Sequence, residues 1–124
     1  MATRVMVFAK APVSGRVKTR LRGVYGAAGA ARIYRGLLAG TLATAAAAGA
    51  DTLELWAAPG TSHPWLRRLA RHHGARLRAQ HGGDLGRRMH RALAVAVAAG
   101  QRGIIIGGDC ASLEADDLVA AMAA

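Results

Sequence analysis

The sequence predicts an α/β fold with a mainly parallel sheet and helices on both faces, in three layers. Three observations carry that expectation. Short aliphatic runs alternate with longer stretches in which apolar residues recur at helical spacing. Each short run is followed at once by Gly, Pro or charged residues. Hydrophobic residues make up 52% of the chain but aromatics only 4%, so the core must be built from Ala, Val, Leu and Ile.

Taken in order, residues 5–9 (VMVFA) read as a buried strand. Residues 10–26 hold Pro12, Gly15, Gly23 and Gly26 and read as a loop with at most a first helical turn. Over residues 27–48, Ile33, Leu37, Leu38, Leu42 and Ala45 share one helical face. Residues 52–57 (TLELWA) are strand-like, and Pro59-Gly60 stops them. Thr61 or Ser62 is the expected cap of a helix carrying Trp65, Leu66, Leu69 and Ala70, which Gly74 ends. Residues 75–79 (ARLRA) form a weaker strand with Arg76 and Arg78 on one face, as an edge strand allows. Residues 84–99 read as a helix with Met89, Leu93, Ala96 and Val97 inward, and residues 103–106 (GIII) as the plainest strand. Ser112 and Leu113 lead into a last helix, with Leu118, Val119 and Met122 on one face. Residues 1–124 are thus expected to form a single α/β domain. Four strands are few for an α/β enzyme, so the expectation is a portion of a longer chain.

The charge is lopsided, with 17 Lys+Arg against 7 Asp+Glu and a net +10. That balance favours anionic partners, although it also has a plain reading as solvated arginine surface in an Ala-, Gly- and Arg-rich chain. Cys110 is alone, so no intrachain disulfide forms and a reducing compartment is expected. The N-terminal MATRVMVFAK is too short an apolar run for a signal peptide, and the Ala-rich residues 37–50 fall short of the roughly 20 apolar residues of a membrane span. The expectation is a cytoplasmic protein with no membrane partner.

Ligands of open parallel sheets bind at the carboxyl ends of the strands, where neighbouring loops splay apart. Two segments at such ends are unusual. After the first strand, Lys10, Arg16, Lys18 and Arg20 fall within eleven residues, and Gly15 permits close backbone approach. Lys18 and Arg20 project to the same side if the stretch is extended, which suits phosphate oxygens. A Walker A loop is absent, because Gly15 does not directly precede the Lys. The alternative is a solvated basic loop. After the GIII strand, Gly107-Gly108 precede Asp109, a carboxylate placed either to hold a divalent cation or to cap the next helix. If the first and fourth strands are neighbours, the two loops face one crevice. A third segment, Gln80-His-Gly-Gly-Asp-Leu-Gly86, follows the third strand. Gly82, Gly83 and Gly86 suit a backbone bent around a ligand, and Gln80 or Asp84 can hydrogen-bond a base or ribose. Asp84 equally suits a helix N-cap. The five His lack zinc-ligand spacing, and Cys110 reads as a small buried residue.

Phe8 to Leu21 (FAKAPVSGRVKTRL), Gly83 to Met89 (GDLGRRM) and Gly107 to Leu113 (GGDCASL) together resemble a bacterial family of glycosyltransferase-A-like proteins. Its members look like FAKAPxPGxVKTRL, GDLGxRM and GSDCPxL in the same order. More distantly, the layout is similar to phospholactate and molybdenum-cofactor nucleotidyltransferases. The resemblance implies a Rossmann-like glycosyltransferase-A fold and a nucleotide sugar or NTP in the crevice. It implies a phosphate-binding role for Arg16, Lys18 and Arg20 and a metal role for Asp109, with Mg²⁺ or Mn²⁺ as cofactor. It places Gln80 to Gly86 near the base, and implies transfer of a glycosyl or nucleotidyl group. Ser14 and Ala111 stand where the family has Pro, and family members are much longer, with further strands, acceptor contacts and a second metal ligand in the C-terminal part.

A nucleic-acid-binding module is the competing reading of the +10 charge. Basic residues spread over several helices, few aromatics and no nucleic-acid signature argue against it. A homo-oligomer is compatible with the sequence, which names neither the general base nor the acceptor.

Overall fold

The computed structural model describes residues 1–13, 17, 22–109 and 113–124, with the side chains of residues 22, 24 and 25 left out. The strand that organises them is β1 (Thr3–Lys10), in which Val5, Met6 and Val7 are fully buried. Such a run, apolar on both faces, suits the middle of a parallel sheet covered on two sides. The elements that follow are α1 (Arg22–Ala47), β2 (Thr52–Ala58), α2 (Pro64–His72), β3 (Arg76–Ala79), α3 (Leu85–Ala98), β4 (Arg102–Gly107) and α4 (Ala115–Ala123). The sheet order is β3-β2-β1-β4, with each neighbouring pair parallel. The first and fourth strands are therefore adjacent, as the crevice requires, and β3 is an edge strand as its arginines suggest.

Strand periodicity sends alternate residues to opposite faces. Val5, Val7 and Ala9 of β1, with Leu55 and Ala57 of β2, pack against Tyr34, Leu38 and Leu42 of α1, Leu66 and Ala70 of α2, and Leu118 of α4. Met6, Phe8 and Trp56 face the other way, where Ala92 and Ala96 of α3 meet them. The result is three layers, with three helices on one face and α3 on the other. Close approach depends on absent side chains: a Cβ at Gly103 would stand 2.9 Å from Met6 Cε and 3.0 Å from Ala96 Cβ.

Several expectations need correction. The cap of α2 is His63, one residue beyond the Thr61 and Ser62 expected; its side chain accepts from the Trp65 N–H, and Pro64 fills the first helical position. On α3, Ala96 is buried as expected and Ala92 joins it; Leu93 reaches Gly103 with Cδ2 while remaining 38% exposed, and Met89 (36%) and Val97 (73%) are exposed. Small residues face the sheet because the helix lies too close for larger ones. On α4, Leu118 is buried and Met122 half-buried, but Val119 points outward. The α1 stretch does begin its unbroken run after Gly26, which has φ 71° and a non-helical ψ. Among the described residues, no helix is long and apolar enough to cross a membrane.

The α3 face also holds a feature that alternation did not announce. Glu54 of β2 is 0% exposed. Its carboxylate pairs with Arg4 at 3.4 Å and Arg78 at 3.3 Å, and accepts from the Trp56 indole N–H at 3.0 Å. Arg4 in turn donates to Gln101 Oε1 (2.7 Å), whose Nε2 donates to Thr52 Oγ1 (2.9 Å). The buried charge is thus fully engaged, as burial demands.

Two predictions follow from this packing. Glu54→Gln leaves Arg4 without a counter-charge in the interior, and thermal or urea unfolding should show a loss of about 3 kcal/mol or more. Asp51 accepts hydrogen bonds from the Thr3 N–H (2.8 Å) and hydroxyl (3.3 Å), which hold its carboxyl below the ordinary carboxylate range, the backbone bond contributing most. A carboxyl depressed in the folded state stabilises above its unfolded pKa and loses that contribution as pH falls through the folded one. Unfolding followed below about pH 4 should therefore show a weaker acid dependence for Asp51→Asn than for the parent.

Candidate functional site at the strand ends

The carboxyl ends of β1, β2 and β4 lie side by side, and their loops are tied to one another by backbone bonds. The Ala11 N–H donates to Ala58 O (2.8 Å), linking the chain after β1 to the end of β2. The Gly108 N–H donates to Phe8 O (2.8 Å), carrying the β4 strand into its loop. A Cβ at Gly108 would meet Leu38 Cδ1 at 2.7 Å and Phe8 O at 2.8 Å, so glycine is required where this loop crosses β1. Val17, further along the basic segment, is buried in the core on the α1 side.

Between the β1 and β2 ends opens a cavity of about 550 Å³, lined by Lys10, Val13, Pro59, Ser62 and His63 among others. Its size suits a nucleotide-sized ligand. The Ala58-Pro59 peptide at its wall is cis. The Nδ1 of His63 accepts from the Trp65 N–H (3.2 Å), so in the neutral ring the proton sits on Nε2.

Tyr34 joins the β1 end to that of β4. Its hydroxyl accepts from the Lys10 N–H at 2.7 Å. Burial pushes the phenol above its ordinary pKa; the Lys10 N–H opposes this and the negative charge of Asp109 adds to it. The hydroxyl therefore stays protonated and available as a donor throughout the neutral range. Asp109 itself is exposed at the end of β4. Lys10, Tyr34 and Asp109 thus share one corner of the strand ends. Gly15, Arg16, Lys18, Arg20 and Cys110 lie outside the described residues.

The third segment serves the scaffold first. Gln80 donates from Nε2 to Ala9 O (3.1 Å) and Trp56 O (2.8 Å), bridging the ends of β1 and β2. Both amide hydrogens are spent, and only Oε1 remains for a ligand. Asp84 is the N-cap of α3, accepting from the Arg87 N–H at 2.9 Å, with an exposed ion pair to Arg87 at 3.6 Å. Gly83 is exposed and open beside it. Because β3 and β4 are three strand spacings apart, about 14 Å, Asp84 and Asp109 stand at opposite ends of the row.

Tyr34 and His63 carry no role in the sequence reading, and Ser62 only that of a helix cap. Tyr34 sits four residues before Leu38 and eight before Leu42 in the buried stripe of α1, and a hydroxyl within such a stripe is the signal that marks it. His63 precedes Pro64, and a polar residue before a helix-starting Pro is a cap candidate. Among the described residues, no group of three or more His, Cys, Asp or Glu is placed to hold a metal ion.

Residues 41–124 match the family DUF2064, described as an uncharacterized protein conserved in bacteria. No curated protein matches the chain. A crystal structure described as that of a "putative nucleotide-diphospho-sugar transferase" from Desulfovibrio desulfuricans G20 superposes with a TM-score of 0.85 and 28% sequence identity. The match covers 99% of this chain and 54% of the other, so this chain spans about half the length of that protein.

The Tyr34 bond tests the geometry of the corner. Tyr34→Phe should leave the part-buried Lys10 N–H without its acceptor. Thermal unfolding should show a loss of about 1–3 kcal/mol, and hydrogen exchange should show reduced protection at the Lys10 amide.

Proposed function

The chain belongs to the DUF2064 family of bacterial proteins, and from that premise we propose that it is the nucleotide-binding portion of a transferase acting on a nucleotide sugar or an NTP. The observation that carries this reading is the match to the D. desulfuricans protein, which covers 99% of this chain with a TM-score of 0.85. The strand-end cavity agrees with it, since it lies where open parallel sheets bind ligands.

In this reading Lys10, Arg16, Lys18 and Arg20 hold the phosphate oxygens, with Gly15 allowing the backbone to approach. Ser62 and the Nε2–H of His63 line the cavity as hydrogen-bond donors to the nucleoside. Gln80 and Asp84 act mainly by holding strand ends and the start of α3 in place, with Gln80 Oε1 and the open backbone at Gly83 facing the ligand. Asp109 would hold Mg²⁺ or Mn²⁺, an ion that would neutralise the diphosphate and stabilise the leaving group. Tyr34 holds the Lys10 backbone at the end of β1. For glycosyl transfer, the bond from the anomeric carbon to the diphosphate oxygen breaks and a bond to the acceptor oxygen forms. The nucleoside diphosphate departs with the electron pair, and the acceptor loses its proton. For nucleotidyl transfer, the acceptor oxygen bonds the α-phosphorus and pyrophosphate leaves. The basic loop serves both by stabilising negative charge on the departing phosphate.

Isothermal titration with a panel of nucleotides and nucleotide sugars, with and without Mg²⁺ or Mn²⁺, tests the proposal. Binding that strengthens with the cation is expected. Lys18→Ala and Asp109→Ala should each weaken it about tenfold or more. No binding by any member of the panel, or binding indifferent to both substitutions, would remove the basis of the reading.

A further inference from the structure

A second concave site lies away from the strand-end cavity, on the α3 face of the sheet. Here α3 covers β1 and β4 but leaves the β2–β3 edge open, and a groove of about 580 Å³ remains beside it. Arg76 and Arg78 enter it from β3, Arg91 and Val95 from α3, and His81 from the end of β3, above the Trp56 ring. The arginines arrive from two elements for simple reasons. Positions 76 and 78 are two apart on one strand and share its face, and Arg91 and Val95 are four apart on one helix.

The electrostatics of this groove are unbalanced. Glu54 is the carboxylate beneath it, fully buried and shared between Arg4 and Arg78. Arg76 and Arg91 are exposed and form no ion pair with a described residue. Two guanidinium groups thus stand without a counter-charge, next to a third whose partner is already divided. Arg78 is also held in place. Its guanidinium carbon lies 5.0 Å from the Trp56 ring centroid, while Nη1 bonds Glu54 Oε2 at 3.3 Å. Stacking on the indole and pairing below orient the planar fork before any ligand arrives. A pre-positioned Arg78, with the guanidinium groups of Arg76 and Arg91 lining the same groove, suits the planar, bidentate bonding that phosphate oxygens accept.

We propose that this groove is an anion-binding site, separate from the strand-end cavity, that takes a small ligand carrying a phosphate group. Arg76, Arg78 and Arg91 hold the phosphate, and His81 stands beside it. The size of the groove suits a small molecule. A nucleic acid is disfavoured because the aromatic ring at hand, Trp56, is 3% exposed and covered by Arg78, and so offers no platform for a base. The inference rests on the groove alone and holds whatever binds at the strand ends.

The test uses inorganic pyrophosphate as the probe, titrated into ¹⁵N-labelled protein carrying Lys18→Ala to suppress binding by the basic loop. The Trp56 indole N–H and Arg78 Nε–H resonances are expected to shift together and saturably. Arg76→Gln with Arg91→Gln should raise the apparent Kd about tenfold or more, as loss of charge-assisted bonds requires. Both residues are exposed and unpaired, so the double variant keeps the parent's unfolding temperature, which a thermal melt verifies. Absence of a saturable shift at Trp56, or a Kd unchanged in the double variant, overturns the proposal. So does a duplex oligonucleotide that shifts the same resonances more strongly than pyrophosphate with a steep dependence on salt, which would make the surface a nucleic-acid site.

Discussion

The rest of the structure depends on the burial of β1 on both faces. A strand with no solvent-facing side needs a layer above and below, and a hydrogen-bonded neighbour at each edge. β2 and β4 supply the neighbours, while α1 and α3 supply the layers. Once β1 is so enclosed, the chain leaves it only at its ends. The loop beginning at Lys10 is thereby delivered to the same edge of the sheet as Pro59 and Asp109. The adjacency of these loops is a consequence of parallel pairing in a 3-2-1-4 order and needs no attraction between the loops themselves.

The two faces meet that demand differently. Three helices cover one face, and its contacts are mainly apolar, with the hydroxyl of Tyr34 bonded to the Lys10 N–H at its edge. The other has a single helix, brought close by Gly103, Ala92 and Ala96. A lone helix cannot span four strands, and the β2–β3 side of this face is finished instead by a polar layer. Glu54, Arg78 and the Trp56 indole satisfy one another there, and Arg4 of β1 carries the network across to Gln101, just before β4. The same arrangement leaves Arg78 at the boundary between interior and solvent, structural below and open to a ligand above.

Much of the fold was legible because burial enforces period. Residues 5–9 and the GIII run fall in strands, and Leu38, Leu42, Leu66 and Leu118 face the core as their spacing predicts. What failed was size. Met89 and Val97 are large apolar residues of α3, yet it is Ala92 and Ala96 that are fully buried, since contact distance rather than hydrophobicity chose the face. Of the candidate site, Asp84 was readable as a cap from its place before a helix, and Asp109 from the glycines before it. Gln80 was legible as a polar residue at a strand end, but its bonds to Ala9 and Trp56 were not, because both acceptors are far away in sequence.

By itself the sequence determined the order of elements, the parallel class of the sheet and the concentration of basic residues after the first strand. These are local properties, set by turn chemistry and by the alternation of apolar and polar residues. Tertiary structure alone decided that Tyr34 sits beneath Lys10 and within the field of Asp109. It alone decided that Glu54 is buried against two arginines, and that Arg76, Arg78 and Arg91 line one groove beside Trp56. Each joins residues from elements far apart in the chain, and their distances exist only once the sheet has set the spacing between strands and helices.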